Sequence, residues 1–153
     1  MSYDTATPYI ASYVLLRKEN KVAFVLRANT SWMNGYYSLT AGKVEKGESF
    51  IQSAIREAKE EAGVTIRSDQ LRQVLTCHRY DVGEDPEWVD VLFEATEWEG
   101  EPFNAEPDVH SELAWLDLDD LPENIIPSLR FMLDQIRAGK TYCEYGWNVE
   151  KTD

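Results

Sequence analysis

The chain is poor in cysteine, histidine and positive charge, and it has no long apolar run. Its two cysteines, Cys77 and Cys143, have no paired spacing, which argues against a disulfide framework and marks them as reduced packing residues. His78 and His110 lack the spacing to build a zinc site with either cysteine and are read as core or surface polar residues. Lys and Arg number 15 against 28 Asp and Glu, a net charge of -13, so the surface field repels phosphate backbones and disfavours a general binder of nucleic-acid polymers. No stretch approaches the roughly 18 apolar residues needed to span a bilayer. Met1-Ser2-Tyr3-Asp4 has no basic segment followed by an apolar run, so the expectation is a soluble, cytoplasmic chain with no membrane partner. No repeat, low-complexity tract or linker-like shift divides residues 1–153, which are expected to form one domain with a core at about 8–138 and an aromatic-containing tail at 139–153.

What is present suffices for a proper core: 153 residues, 43% of them hydrophobic, with five Trp, eight Tyr and five Phe. Residues 9–17 and 22–28 are β-branched and aromatic runs joined by Lys18-Glu19-Asn20-Lys21, the pattern of a hairpin. A loop at 29–35, a short strand at 36–39 and a glycine-punctuated loop at 40–47 follow. Ser49 with Gln52 makes a capping box, Ile51, Ala54, Ile55, Ala58 and Ala62 recur at helical spacing, and Gly63 supplies the stop. Residues 71–82 and 88–96 form a second strand pair around the turn at 83–86. A long acidic connection at 97–111 leads to a last strand at 112–116, a turn at 119–122 and an amphipathic helix at 128–137. This is an α/β chain with helices on both faces of a sheet, and Tyr142, Tyr145 and Trp147 of the tail are expected to cover its core.

The chemistry concentrates in one helix. Glu57, Glu60 and Glu61 lie at i, i+3 and i+4, so they share one edge beside the apolar stripe. A solvated acidic face is the ordinary alternative, but such faces intersperse lysines at these offsets. Three like charges at the border of a core call for a hard, oxygen-preferring cation, Mg²⁺ being the natural one, and Glu48 adds a fourth carboxylate at the same end.

From Gly42 the chain reads Gly42-Lys43-Val44-Glu45-Lys46-Gly47-Glu48, then seven residues, then Arg56-Glu57-Ala58-Lys59-Glu60-Glu61-Ala62-Gly63-Val64. This resembles the Nudix box, G-x5-E-x7-R-E-U-x-E-E-x-G-U with U aliphatic, and every fixed position is filled. Ala58 is smaller than the usual aliphatic there, and Thr40 stands where many relatives carry proline. With Trp98-Glu99-Gly100-Glu101-Pro102, the flanking strands and the closing helix, the chain resembles the MutT-like branch over about 130 residues. The resemblance implies an α/β/α sandwich with a mixed β-sheet and a Nudix loop-helix-loop that presents carboxylates to Mg²⁺ or Mn²⁺. The implied ligands are Glu57, Glu60, Glu61 and the Gly42 carbonyl, with Glu48 direct or through water. Arg56 is expected to hold a box glutamate, Glu60 being its i+4 neighbour.

The resemblance also implies a general base or transition-state metal ligand on the loop after the second strand pair, where Glu106 is the first choice, and a phosphate-contacting arginine at Arg27. Trp32, Tyr36, Trp88 and Phe103 are candidates to stack on a nucleobase and Asn124 to read its edge. The implied activity is hydrolysis of a nucleoside triphosphate, an oxidised one such as 8-oxo-dGTP being a candidate, to monophosphate and pyrophosphate. The alternatives are an ADP-ribose, nucleotide-sugar or dinucleoside-polyphosphate hydrolase on the same metal site, and a catalytically silent nucleotide-binding module. The partner is a small nucleotide, and the chain itself a monomer or homodimer.

Overall fold

The computed structural model describes residues 4–83 and 86–147. The first three residues, the middle of the turn expected at 83–86, and the tail beyond Trp147 lie outside the described residues. Strands β1 (Tyr9–Lys18) and β2 (Lys21–Arg27) form from the two apolar runs, but they pair only at Arg17↔Val22 and Lys18↔Lys21. Beyond that point the hairpin opens like a fork. β1 continues alongside β6 (Glu87–Ala95), in parallel, and β4 (Thr40–Lys43), antiparallel. β2 turns to β3 (Tyr37–Ser38) and β7 (His110–Asp117). With β5 (Arg72–Tyr80) and β8 (Tyr142–Tyr145) these make an eight-stranded mixed sheet of order β3-β2-β1-β6-β5-β8, β4 joining at β1 and β7 at β2.

Side chains alternate across a strand, so β1 sends Val14 and Leu16 to one face and Leu15 to the other. The first face is covered by α1 (Phe50–Ala62), whose Ala54, Ala58 and Ala62 are fully buried against Val91 and Phe93. Alanines four apart let the helix lie close on the sheet, which accounts for the small residue at 58 and brings the acidic edge of α1 down onto β4. The opposite face is covered by α2 (Pro127–Arg137) through Leu129, Met132 and Leu133, packed with Phe24, Leu75 and Leu92. Both ends of α1 are fixed. The Ser49 hydroxyl accepts from the Gln52 N–H at 3.1 Å, the Gln52 side chain accepts from the Ser49 N–H at 2.8 Å, and Gly63, at φ 71°, donates its N–H to the Lys59 carbonyl.

Four segments differ from expectation. Residues 40–43, expected in a loop, are strand β4, because every one of them finds a partner on β1 from Ala11 to Val14. The last strand starts at His110 rather than 112. The aromatic tail is not merely a cover: residues 142–145 extend the sheet in parallel with β5, and the Trp147 indole N–H donates to the His78 carbonyl at 2.8 Å. A short 3₁₀ turn at Ser68–Gln70 was not foreseen. Among the described residues no helix is long and apolar enough to cross a membrane.

Candidate active site

Where β1 and β2 part, a cleft of about 500 Å³ opens, walled by β4, the acidic edge of α1, the ends of β2 and β7, and the start of α2. Two consecutive residues of β4 receive two glutamates one helical turn apart. The Ala41 N–H donates to Glu61 Oε2 at 3.1 Å. The Glu57 carboxylate lies so tightly on Gly42 that a Cβ there would stand 2.0 Å from Oε1, so any larger residue at this position displaces the carboxylate. Glu57 and Glu61 are 8% and 9% exposed, whereas Glu60 faces outward.

Arg56 ties the helix to the loop before it. Its Nε and Nη2 fork onto both oxygens of Glu48, at 2.8 and 2.9 Å, and Nη2 also donates to the Lys43 carbonyl. Nη1 reaches Glu57 at 2.7 Å and Glu60 at 3.3 Å. The i+4 contact to Glu60 is therefore present, but Glu48 is the bidentate partner. That fork and the Glu45 N–H hold the Glu48 carboxyl at about 2, far below the usual carboxylate range.

Glu106 is brought to the same place by backbone bonding. The last-turn carbonyls of α1 have no intrahelical partner, and the following loop supplies them: Phe103 N–H to Ala62, Ala105 N–H to Glu61. Half-buried Glu106 then lies close enough to the helix glutamates for their charges to be felt. Burial raises its pKa, and Glu60 adds to the rise. Burial also raises Glu57 against the opposing pull of Arg56. Glu61 is pushed well above the ordinary carboxylate range, first by burial, then by Glu57 and Glu106.

Arg27 lines the cleft, its Nε donating to the Trp32 carbonyl at 2.9 Å and its guanidinium 5.3 Å from the Trp32 ring centroid. Burial lowers its pKa and Glu61 counters the fall. Trp32 and Trp88 line the cleft; Tyr36, Phe103 and Asn124 do not. Phe103 packs against Gly63 at the end of α1. The Asn124 amide donates to the Gly35 carbonyl at 2.9 Å and braces the 29–35 loop. Sequence reasoning missed Tyr13, Arg79, Asp81 and His110 in the cleft wall. Arg79 is 5% exposed, bonded through Nε and Nη2 to fully buried Asp90 and through Nη1 to Asp81, with the Trp88 ring 4.9 Å away. The signal was there: Arg79 and Asp90 stand in step with Cys77 and Leu92, charges at core-facing positions of two strands.

The NUDIX domain profile matches residues 7–136. The chain belongs to the NUDIX domain family. It is similar to the 8-oxo-dGTP diphosphatase of Escherichia coli K12, 32% identical over 123 residues that cover 76% of this chain and 92% of that one. It is 31% identical over 109 residues to an uncharacterized Nudix hydrolase of Bacillus subtilis, covering 70% of this chain and 65% of the relative, slightly under two thirds of its length. The crystal structure of the MutT NUDIX hydrolase from Burkholderia pseudomallei superposes with a TM-score of 0.77 at 26% identity, over 85% of this chain and 98% of that one. These likenesses put the chain among MutT-like Nudix hydrolases, which act on phosphoric anhydride bonds.

Nudix enzymes generally use divalent metal ions, and the donors here suit one. Among the described residues no three His, Cys, Asp or Glu side chains already form a coordination sphere. Yet, beyond the effect of burial, Glu57 and Glu106 raise the proton affinity of Glu61, and Glu60 raises that of both Glu57 and Glu106, a crowding that a hard cation relieves, and all offer oxygen. Gly42 keeps a Cβ out of the space that the Glu57 carboxylate needs.

Proposed function

We propose that this Nudix chain is a Mg²⁺- or Mn²⁺-dependent pyrophosphohydrolase that cleaves a nucleoside triphosphate to monophosphate and pyrophosphate, with an oxidised purine nucleotide such as 8-oxo-dGTP as its candidate substrate. The observation that carries this reading is the meeting, in one cleft, of Arg27 with Glu61, seated on Ala41, and with Gly42, on which the Glu57 carboxylate packs. Glu57, Glu60 and Glu61 with the Gly42 carbonyl are the proposed metal donors, and Glu48, whose oxygens Arg56 occupies, is proposed to reach the metal only through water. Bound there, the metal supplies charge neutralisation for the polyphosphate and makes water a better nucleophile.

Arg27 grips a phosphate and orients the chain of phosphates toward the glutamates. Arg56 holds Glu57 in place. Glu106, with its raised pKa, takes the proton of the attacking water. Trp32 and Trp88 offer faces for the base. The E. coli relative named as an 8-oxo-dGTP diphosphatase supports the choice of substrate. The intact glutamate set speaks for turnover rather than silent binding.

The test is a panel of nucleoside triphosphates, 8-oxo-dGTP, ADP-ribose and dinucleoside polyphosphates with Mg²⁺ in ¹⁸O-labelled water. Monophosphate and pyrophosphate from 8-oxo-dGTP, abolished by EDTA, is the expected result. Orthophosphate with diphosphate, or preference for ADP-ribose over every triphosphate, overturns it.

A further inference from the structure

His110 is 5% exposed and lines the cleft that holds Arg27 and Glu61, yet its Nδ1 has no hydrogen-bond partner among the described residues. The backbone of the same residue is fully engaged. Its N–H donates to the Glu106 carbonyl at 3.0 Å and its carbonyl accepts from Asn104 Nδ2 at 2.7 Å, so the imidazole is carried on a pinned stem. It faces Arg27 across the β2–β7 ladder, at a register shift between Leu26 and Arg27. Such irregularities re-aim side chains and gather beside active sites. A buried polar atom without a partner costs stability, and an apolar side chain would fill the same space without that cost.

We propose that His110 is a substrate-contacting residue, whose imidazole completes its hydrogen bonding on a phosphate oxygen of a bound nucleoside polyphosphate beside Arg27. The inference rests on the reading of the cleft as a nucleoside-polyphosphate site. The chemistry favours a phosphate over a base edge. Arg27 draws anionic oxygen to this end of the cleft, and burial, with Arg27 adding to it, lowers the pKa of the imidazole and favours its neutral form, with one N–H to donate. A hydrogen bond from a neutral donor to a charged oxygen is of the stronger class, and its loss weakens binding by about tenfold to a hundredfold.

The experiment compares wild type, His110→Gln and His110→Leu for thermal stability without ligand and for affinity toward a non-hydrolysable α,β-methylene deoxynucleoside triphosphate and inorganic pyrophosphate, each with Mg²⁺. His110→Leu is expected to melt at or above wild type when empty, yet to bind both ligands at least about tenfold more weakly. His110→Gln, which keeps a donor, should stay within about threefold. His110→Met takes the place of the leucine variant should that one not fold. Equal affinity of wild type and His110→Leu, or a loss of empty-state stability with affinity unchanged, overturns the proposal and leaves the cleft reading intact. A wild type that binds neither ligand overturns the cleft reading, and this proposal with it.

Discussion

Replacing Gly42 by alanine separates the seating of the carboxylate from the fold. The new Cβ would lie 2.0 Å from Glu57 Oε1 and 2.2 Å from Cδ. The glutamate tip must retreat by about 1.4 Å to regain ordinary contact. The backbone has no reason to object, since Gly42 is not among the residues at positive φ and it sits in a regular pair with Ser12. Displacing Glu57 weakens its 2.7 Å pair with Arg56, a contact worth roughly 1 kcal/mol at this exposure. Alanine returns about 0.4–1 kcal/mol by restricting the unfolded chain. Melting temperature should therefore move by no more than about 2–4 °C. Turnover should not survive so well: an atomic misplacement of about 1 Å in a reacting constellation costs on the order of a hundredfold, or about 2.7 kcal/mol of barrier. Scanning calorimetry and pyrophosphate release with Mg²⁺ measure the two quantities on one preparation. Activity within about threefold of wild type at unchanged stability would refute the seating of Glu57 on Gly42 as a requirement for catalysis.

Two further changes read the electrostatics. Glu48 is held at about 2 against an ordinary value of 4.5, so its stabilising contribution is complete above pH 4.5 and is lost as pH falls toward 2. Glu48→Gln should therefore melt below wild type at neutral pH, with the gap closing near pH 2; a gap that persists there removes the Arg56 pair as its cause. Glu61 has the opposite sign, because a carboxyl raised by burial destabilises the metal-free fold as pH climbs above its ordinary range. Glu61→Gln in EDTA should match or exceed the wild-type melting temperature at pH 8 while losing most of the Mg²⁺-induced gain. Full retention of that gain would take Glu61 out of the metal site.

Much of the scaffold was legible because its signals are local. Ser49, Gln52 and Gly63 mark the ends of α1 by hydrogen bonds within one turn, and the apolar periods of β1, β2, β5, β6 and α2 are set by which face each residue buries. The strand at Thr40–Lys43 was not legible, since four residues with a glycine carry no period of their own and become a strand only by pairing with β1. The short edge strand β8 was hidden for the same reason. At the site, the spacing of Glu57, Glu60 and Glu61 announced itself. Direction did not. Nothing in the residue types says that Phe103 turns toward Gly63, that Asn124 braces Gly35, or that the fork of Arg56 closes on Glu48 eight positions back rather than on Glu60 four positions ahead. A lone histidine at 110 carries no spacing to read, and only the cleft wall reveals its orphaned nitrogen.

The seating of two helix glutamates on two adjacent strand residues has an evolutionary consequence. Neighbouring strand residues are about 3.3 Å apart, while Glu57 and Glu61 are about 6 Å apart along their axis, so the glutamates can meet Ala41 and Gly42 only where helix and strand cross obliquely. Their spacing is thus fixed by the crossing of two regular elements, each anchored in the core. Trp32, by contrast, reaches the cleft from the 29–35 loop, with its left-handed Asn29 and Met33. Substitutions there can exchange one base for another without passing strain to the carboxylates. Bond-breaking and recognition can therefore drift at different rates in descendants of this chain, with the reaction conserved while the substrate changes.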